Sequence, residues 1–152
     1  STGGRVKRLE PWLKGGTFML TYGDGVSDVD LRALLQFHRA HGRVATVTAV
    51  RPSARFGGLV FDADMVIEFL EKPQIGEGWI NGGFMVFEPA LFNYLEGDET
   101  SLELHALSRL AADRQLVAYR HHAFWQCTDT LREKQFLEKL WQEGRATWKI
   151  WA

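Results

Sequence analysis

Asp24 stands between Gly23 and Gly25 at the end of the apolar run 17–22. If that run is a parallel strand, the aspartate lies outside a carboxyl end, where open α/β sheets bind their ligands, and a carboxylate there suits a metal ion. The plain alternative is a turn or helix-cap aspartate. Ser27 and Asp28 are already placed to cap the helix that follows, however, which leaves Asp24 without a local task. Asp129 is surplus for the same reason, because Thr130 and Glu133 have capping-box spacing and set it just outside a helix. Two carboxylates on strand-to-helix turns can share one Mg²⁺, which takes a few protein oxygens and completes its shell with substrate phosphate. On spacing alone, two unrelated surface aspartates fit equally well.

Lys72, pinned by Pro73 at a strand end, offers a point charge for phosphate, although surface lysines are common. Asn81, ahead of Gly82-Gly83, has an amide that both donates to and accepts from sugar hydroxyls, with no side chain on the glycines to obstruct approach; a simple bulge is the alternative. Arg55, in a Gly-flanked loop, reads as an anion contact or, more plainly, a solvated residue. His38 and His41 share a helix without a third metal ligand, and His121-His122 point to opposite faces of a strand, so both pairs read as packing. Cys127 reads as a small core residue and the tryptophans as packing, with Trp148 and Trp151 on a tail that can dock on a partner subunit.

These residues need a scaffold. Residues 2–13 have helical spacing (Val6, Leu9, Leu13) and stop at Gly15-Gly16. The run 17–22 reads as a strand buried on both faces and central in its sheet. A helix from about Leu31 to Gly42 leads into a strand at 44–50, and the crossover predicts parallel pairing with the first strand. Two short antiparallel strands flank residues 62–64. Residues 79–87 form a strand broken by two glycines, where something should lie close to the backbone. A short helix opens at Pro89, Thr100 and Glu103 have capping-box spacing for a helix to about Asp113, a strand covers 116–121, and a last helix runs from Thr130 to about Glu143.

Composition limits what this scaffold can serve. The 152 residues are 45% hydrophobic and 24% charged, enough for a single domain with a real core. With 18 Lys+Arg against 19 Asp+Glu the net charge is -1, which gives nucleic acid or an anionic membrane no general attraction. One cysteine excludes an internal disulfide framework and fits a cytoplasmic protein. No apolar run approaches the roughly 18 residues of a membrane span. The chain begins without methionine and reads as cut from something longer.

Thr2-Gly3-Gly4-Arg5, Tyr22-Gly23-Asp24-Gly25-Val26-Ser27-Asp28, Arg55-Phe56-Gly57, Glu71-Lys72-Pro73, Asn81-Gly82-Gly83-Phe84 and Trp125 to Arg132 resemble, in order and spacing, the glucose-1-phosphate cytidylyltransferases. The ending Trp148-Lys149-Ile150-Trp151 resembles theirs more than that of the sister thymidylyl- or guanylyltransferases. The resemblance implies a nucleotide-diphospho-sugar transferase fold, a Rossmann-like mixed α/β sheet flanked by helices. It implies conversion of CTP and α-D-glucose 1-phosphate to CDP-glucose and pyrophosphate, a step toward bacterial surface polysaccharide. By the same carry-over, Asp24 and Asp129 hold Mg²⁺, Lys72 binds the sugar phosphate, Tyr22 and Gly23 with Asn81 and Gly82 line the sugar pocket, and Arg5 lies near the nucleotide. The family's opening Gly-rich loop and Pro-Lys-Pro segment have no counterpart here, and Cys127 stands where proline is expected. The resemblance is thus to a C-terminal portion, with an incomplete sheet whose exposed edge and face a homo-oligomer would cover. An inactive sugar-phosphate-binding or assembly domain is the alternative.

Overall fold

A computed structural model describes residues 1–52, 58–70 and 78–152. Lys72 and Arg55 lie outside the described residues, as do Glu71, Pro73, Phe56 and Gly57. The chain begins with α1 (Thr2–Arg8) and α2 (Glu10–Leu13), followed by β1 (Phe18–Leu20), β2 (Gly25–Ser27), α3 (Leu31–His41) and β3 (Ala45–Val50). A hairpin of β4 (Gly58–Asp62) and β5 (Met65–Leu70) precedes β6 (Ile80–Asn81) and β7 (Met85–Phe87). A 3₁₀ turn (Pro89–Tyr94), a π-helical turn (Leu102–Leu107) running into α4 (Ser108–Ala112), then β8 (Leu116–Arg120), β9 (Trp125–Cys127) and α5 (Leu131–Gln142) complete it.

The result is the mixed α/β arrangement anticipated, but β1 is not central. Among the described residues it pairs with β7 alone, antiparallel, through Phe18↔Phe87 and Leu20↔Met85. β3 also pairs antiparallel with β7, so β1 and β3 run in the same direction with β7 between them rather than side by side. An apolar run does not say which neighbour buries it; β7, every residue of it buried, takes the central place, while Met19 on β1 is 43% exposed. β6 and β7 lie end to end along one edge of β3, whose other edge carries β8 in parallel. The glycine interruption falls between them. From Ala49↔Asn81 to Thr46↔Val86, three steps along β3 are matched by five along its partner, so the strand bulges there.

The core fills one face of this sheet: Phe18, Met85 and Phe87 pack against Leu91, Phe92, Leu95, Leu102, Leu107 and Leu110, with Val6 of α1 closing the side. α1 approaches because Gly3 and Gly4 have no side chains. An added Cβ on Gly3 would stand 2.5 Å from the Thr100 carbonyl oxygen, and one on Gly4 would run into the Asp98 backbone. The glycine pair is therefore a packing surface, and the helix breaks at Leu9, which is half exposed.

Two caps differ from expectation. Ser27 belongs to β2 and Asp28 binds His121, so neither caps α3; Asp30 does, its carboxylate accepting from the amides of Arg32 and Ala33. Ser101, not Thr100, caps the π-helical turn, and the Thr100 amide goes to the Gly97 carbonyl rather than to Glu103. Thr100 instead accepts from the amides of Glu96 and Gly97. The box at Thr130 and Glu133 forms as its spacing predicts. Among the described residues, no helix is long and apolar enough to cross a membrane.

Candidate active site

β1 ends two residues before Tyr22, and its pairing with β7 brings Tyr22 against the interruption between β6 and β7. The Asn81 amide nitrogen donates to the Tyr22 hydroxyl at 3.0 Å, while its oxygen accepts from the Gly83 amide at 2.9 Å. Gly82 is fastened on both sides: its amide donates to the Thr48 carbonyl at 2.8 Å, and its own carbonyl accepts from the Trp125 indole at 2.8 Å. The close backbone approach that two glycines foretold is met by Val50 against Gly82 and by the Tyr22 ring against Gly83.

Beneath Tyr22 lies Glu103, whose spacing from Thr100 predicts a helix-capping role. Its carboxylate accepts from Tyr22 at 2.8 Å, from Thr2 at 2.7 Å and from Ser101 at 3.1 Å. Burial pulls its pKa up, but the hydrogen bonds from Thr2, its own backbone, Tyr22 and Ser101 outweigh that and leave it below the ordinary glutamate value. Tyr22 responds in the opposite sense. Burial first, then the hydrogen bond to Glu103 and its charge, push the phenol up to about 12, with the Asp24 charge adding to the rise. The phenol therefore stays protonated and works as a hydrogen-bonding group, not as a base.

Asp24 follows on the exposed side of the same turn. The β2–β9 ribbon ties that turn to the segment before α5: Thr128 donates both its amide and its hydroxyl to the Asp24 carbonyl, each at 2.9 Å. Asp129, the next residue, is thereby carried to the same end of the molecule, also exposed. It lies with Cys127 and Glu133 in a cluster whose ligand atoms are within 4.8 Å of one another. Cys127 is only half-buried, so it is not the core residue anticipated. Burial, then the charges of Asp129 and Glu133, push its thiol up. The oxygens of Asp24 and Asp129 are hard donors on exposed turns, a donor set that fits Mg²⁺ better than a thiophilic ion.

The structure thus brings Tyr22, Gly23, Asp24, Asn81 and Gly82 to one end of the fold and carries Asp129 there through Thr128. Arg5 points its exposed side chain from α1, whose Thr2 reaches the site through Glu103. A surface cleft of about 550 Å³ lined by Tyr94, Glu96, Asp98, Glu99, His105 and Arg109 contains none of these residues, and its carboxylates suit it poorly to phosphate. His38 and His41 share the Thr46 hydroxyl, and His38 also meets Glu88, so the helix pair serves the interior and not a metal. The spacing of residues does not reveal that Glu103 and Thr2 support Tyr22. The one signal for Glu103 was that Ser101 offers a cap that needs no glutamate three residues on.

A nucleotidyl transferase family model matches residues 6–139. The chain belongs to the nucleotidyl transferase family. It is 46% identical over 151 residues to a glucose-1-phosphate cytidylyltransferase of Salmonella typhi, covering 99% of this chain and 59% of that relative. It is 32% identical over 128 residues to the mannose-1-phosphate guanylyltransferase catalytic subunit beta of Dictyostelium discoideum, covering 81% of this chain and 35% of the relative. Among solved structures, HddC from Yersinia pseudotuberculosis superposes with a TM-score of 0.65 at 21% identity, over 92% of this chain and 62% of that one. That likeness establishes the shared fold. The chain spans about three fifths of the length of the Salmonella relative.

Proposed function

We propose that this chain is the sugar-binding and metal-binding part of a glucose-1-phosphate cytidylyltransferase, which transfers a cytidylyl group from CTP to α-D-glucose 1-phosphate. The observation that carries the reading is the shared placement of a hydroxyl-recognising pair, Tyr22 and Asn81, beside a carboxylate turn, Asp24, bonded to the segment bearing Asp129. In the reaction a phosphate oxygen of the sugar phosphate attacks the α-phosphorus of the nucleotide in line. The new O–P bond forms as the bond from that phosphorus to the β-phosphate oxygen breaks, and pyrophosphate leaves. Positioning and charge neutralisation supply the rate enhancement, and no covalent protein intermediate is needed. Asp24 and Asp129 would hold Mg²⁺, which would neutralise charge at the α-phosphate. Tyr22, Gly23, Asn81 and Gly82 would line the sugar side, Lys72 would contact the sugar phosphate and Arg5 would lie toward the nucleotide.

The test is pyrophosphate release with Mg²⁺, glucose 1-phosphate and each of CTP, dTTP, UTP, GTP and ATP in turn. Release with CTP alone supports the proposal. Release with dTTP or GTP in its place assigns a sister specificity, and no release with any nucleotide limits these residues to sugar-phosphate binding.

A further inference from the structure

Glu103 determines which way the hydrogen bonds at Tyr22 and Asn81 point. The chain of donors starts at the backbone. The Leu102 amide donates to the Thr2 hydroxyl at 3.0 Å and the Leu104 amide to the Ser101 hydroxyl at 3.1 Å. A backbone N–H can only donate, so each hydroxyl directs its single proton onward, and both are directed to the same oxygen, Oε2 of Glu103. The other oxygen, Oε1, faces Tyr22 at 2.8 Å. An ionised carboxylate only accepts, so Tyr22 spends its one proton there, and its oxygen is left as the acceptor for the Asn81 Nδ2–H at 3.0 Å. The Asn81 orientation is fixed a second time from the far side, because the Gly83 amide must donate to its Oδ1 at 2.9 Å. Every link has one permitted direction. Among the described residues Asn81 is therefore left with one unspent N–H, on an exposed side chain.

We infer that Glu103 is a positioning residue that fixes the polarity of the Tyr22–Asn81 pair, so that Asn81 presents a hydrogen-bond donor to an oxygen of the bound sugar. The sugar as ligand rests on the proposed function; the polarity does not. Glu103→Gln is the informative change because it preserves shape. Thr2 and Ser101 still send two O–H donors to one end of the side chain, so the amide oxygen must take that end and the NH₂ must face Tyr22. The Tyr22 proton then has to turn toward Asn81, whose own NH₂ opposes it.

The experiment uses the whole chain labelled with ¹³Cζ-tyrosine and ¹⁵N-asparagine, with Tyr22 assigned by Tyr22→Phe and Asn81 by Asn81→Asp, and measures glucose 1-phosphate binding by calorimetry. In the unliganded protein at neutral pH, Glu103→Gln should shift the Tyr22 ¹³Cζ resonance and the Asn81 side-chain amide signals, while Glu103→Asp leaves both near their wild-type positions. Binding of glucose 1-phosphate should weaken about tenfold in Glu103→Gln and in Tyr22→Phe, and no further in the double variant. Unchanged Tyr22 and Asn81 signals in a folded Glu103→Gln protein overturn the inference. Wild-type protein that fails to bind glucose 1-phosphate while the signals shift as stated overturns the sugar assignment and leaves the polarity standing.

Discussion

The ring of Tyr22 occupies the space beside Gly83 that any side chain there would need: an ideal Cβ would stand 2.9 Å from Tyr22 Cδ2, on a backbone with φ of +76°. Gly83→Ala therefore combines a left-handed backbone with a clash. It should destabilise the fold by about 1–3 kcal/mol, read from urea unfolding, and displace the phenol from Glu103. A neutral outcome would mean that Tyr22 yields readily and is not held in place.

Asp24→Asn and Asp129→Asn should each leave unfolding and circular dichroism close to wild type, because both side chains are exposed. If they hold Mg²⁺ in the proposed reaction, each should cut pyrophosphate release on the order of 100-fold or more and weaken the dependence on added Mg²⁺. Retention of full activity in either variant would remove that residue from the metal assignment.

Stability should fall on acidification earlier than carboxylate titration alone would bring about. Thr46 Oγ1 has the rings of His38 and His41 at 2.7 and 2.6 Å, His38 continues to Glu88 at 2.9 Å, and the Arg43 amide donates to His41 Nδ1 at 2.9 Å. That last bond requires His41 neutral. Burial first, then the neighbouring His38 and Arg43, lower its pKa. A histidine held below its ordinary value contributes stability that is full above about 6.5, the unfolded value, and is lost as pH falls through that value to the folded one. Glu88 adds a second, lower step. Burial raises its pKa, but the bonds from His38 and Thr17 prevail and lower it overall, so its contribution is present above the ordinary glutamate value and is lost as pH falls through the folded one. Melting temperature measured from pH 8 to 4 should begin to decline near pH 6.5, and His41→Asn should flatten that upper step.

Thr130 closes both halves of its capping box, accepting from the Glu133 amide and donating its own amide to the Glu133 carboxylate. Thr130→Ala should cost about 1 kcal/mol in chemical denaturation. If Asp129 holds Mg²⁺ in the proposed reaction, the same variant, at the start of α5 beside it, should weaken Mg²⁺ dependence more than a surface change of equal cost at the far end of the helix.

Local signals carried a good deal of this molecule. The strand at 44–50, the interruption at Gly82-Gly83, the helix beginning after Thr130 and the likeness of the Tyr22–Asp28 and Asn81–Phe84 segments to the sugar nucleotidyltransferases all depend on a few consecutive residues. Failures occurred where a residue had two local uses and a distant partner chose between them. Ser27 can cap a helix or form a strand, and the strand prevails because β9 is there to pair with it. Thr100 and Glu103 have capping spacing, but Ser101 takes the cap and Glu103 turns to Tyr22, 81 positions away.

The sequence by itself determined the family and the order of most elements, since those depend on residue type and short-range periodicity. Tertiary structure alone decided that β1 pairs with β7, that β7 separates it from β3, and that Thr2, Glu103, Tyr22, Asn81 and Gly83 form one directed chain of hydrogen bonds. The physical reason is that strand neighbours and hydrogen-bond direction are properties of pairs. An apolar run is equally content beside either neighbour, and a hydroxyl donates or accepts according to what the fold puts in front of it.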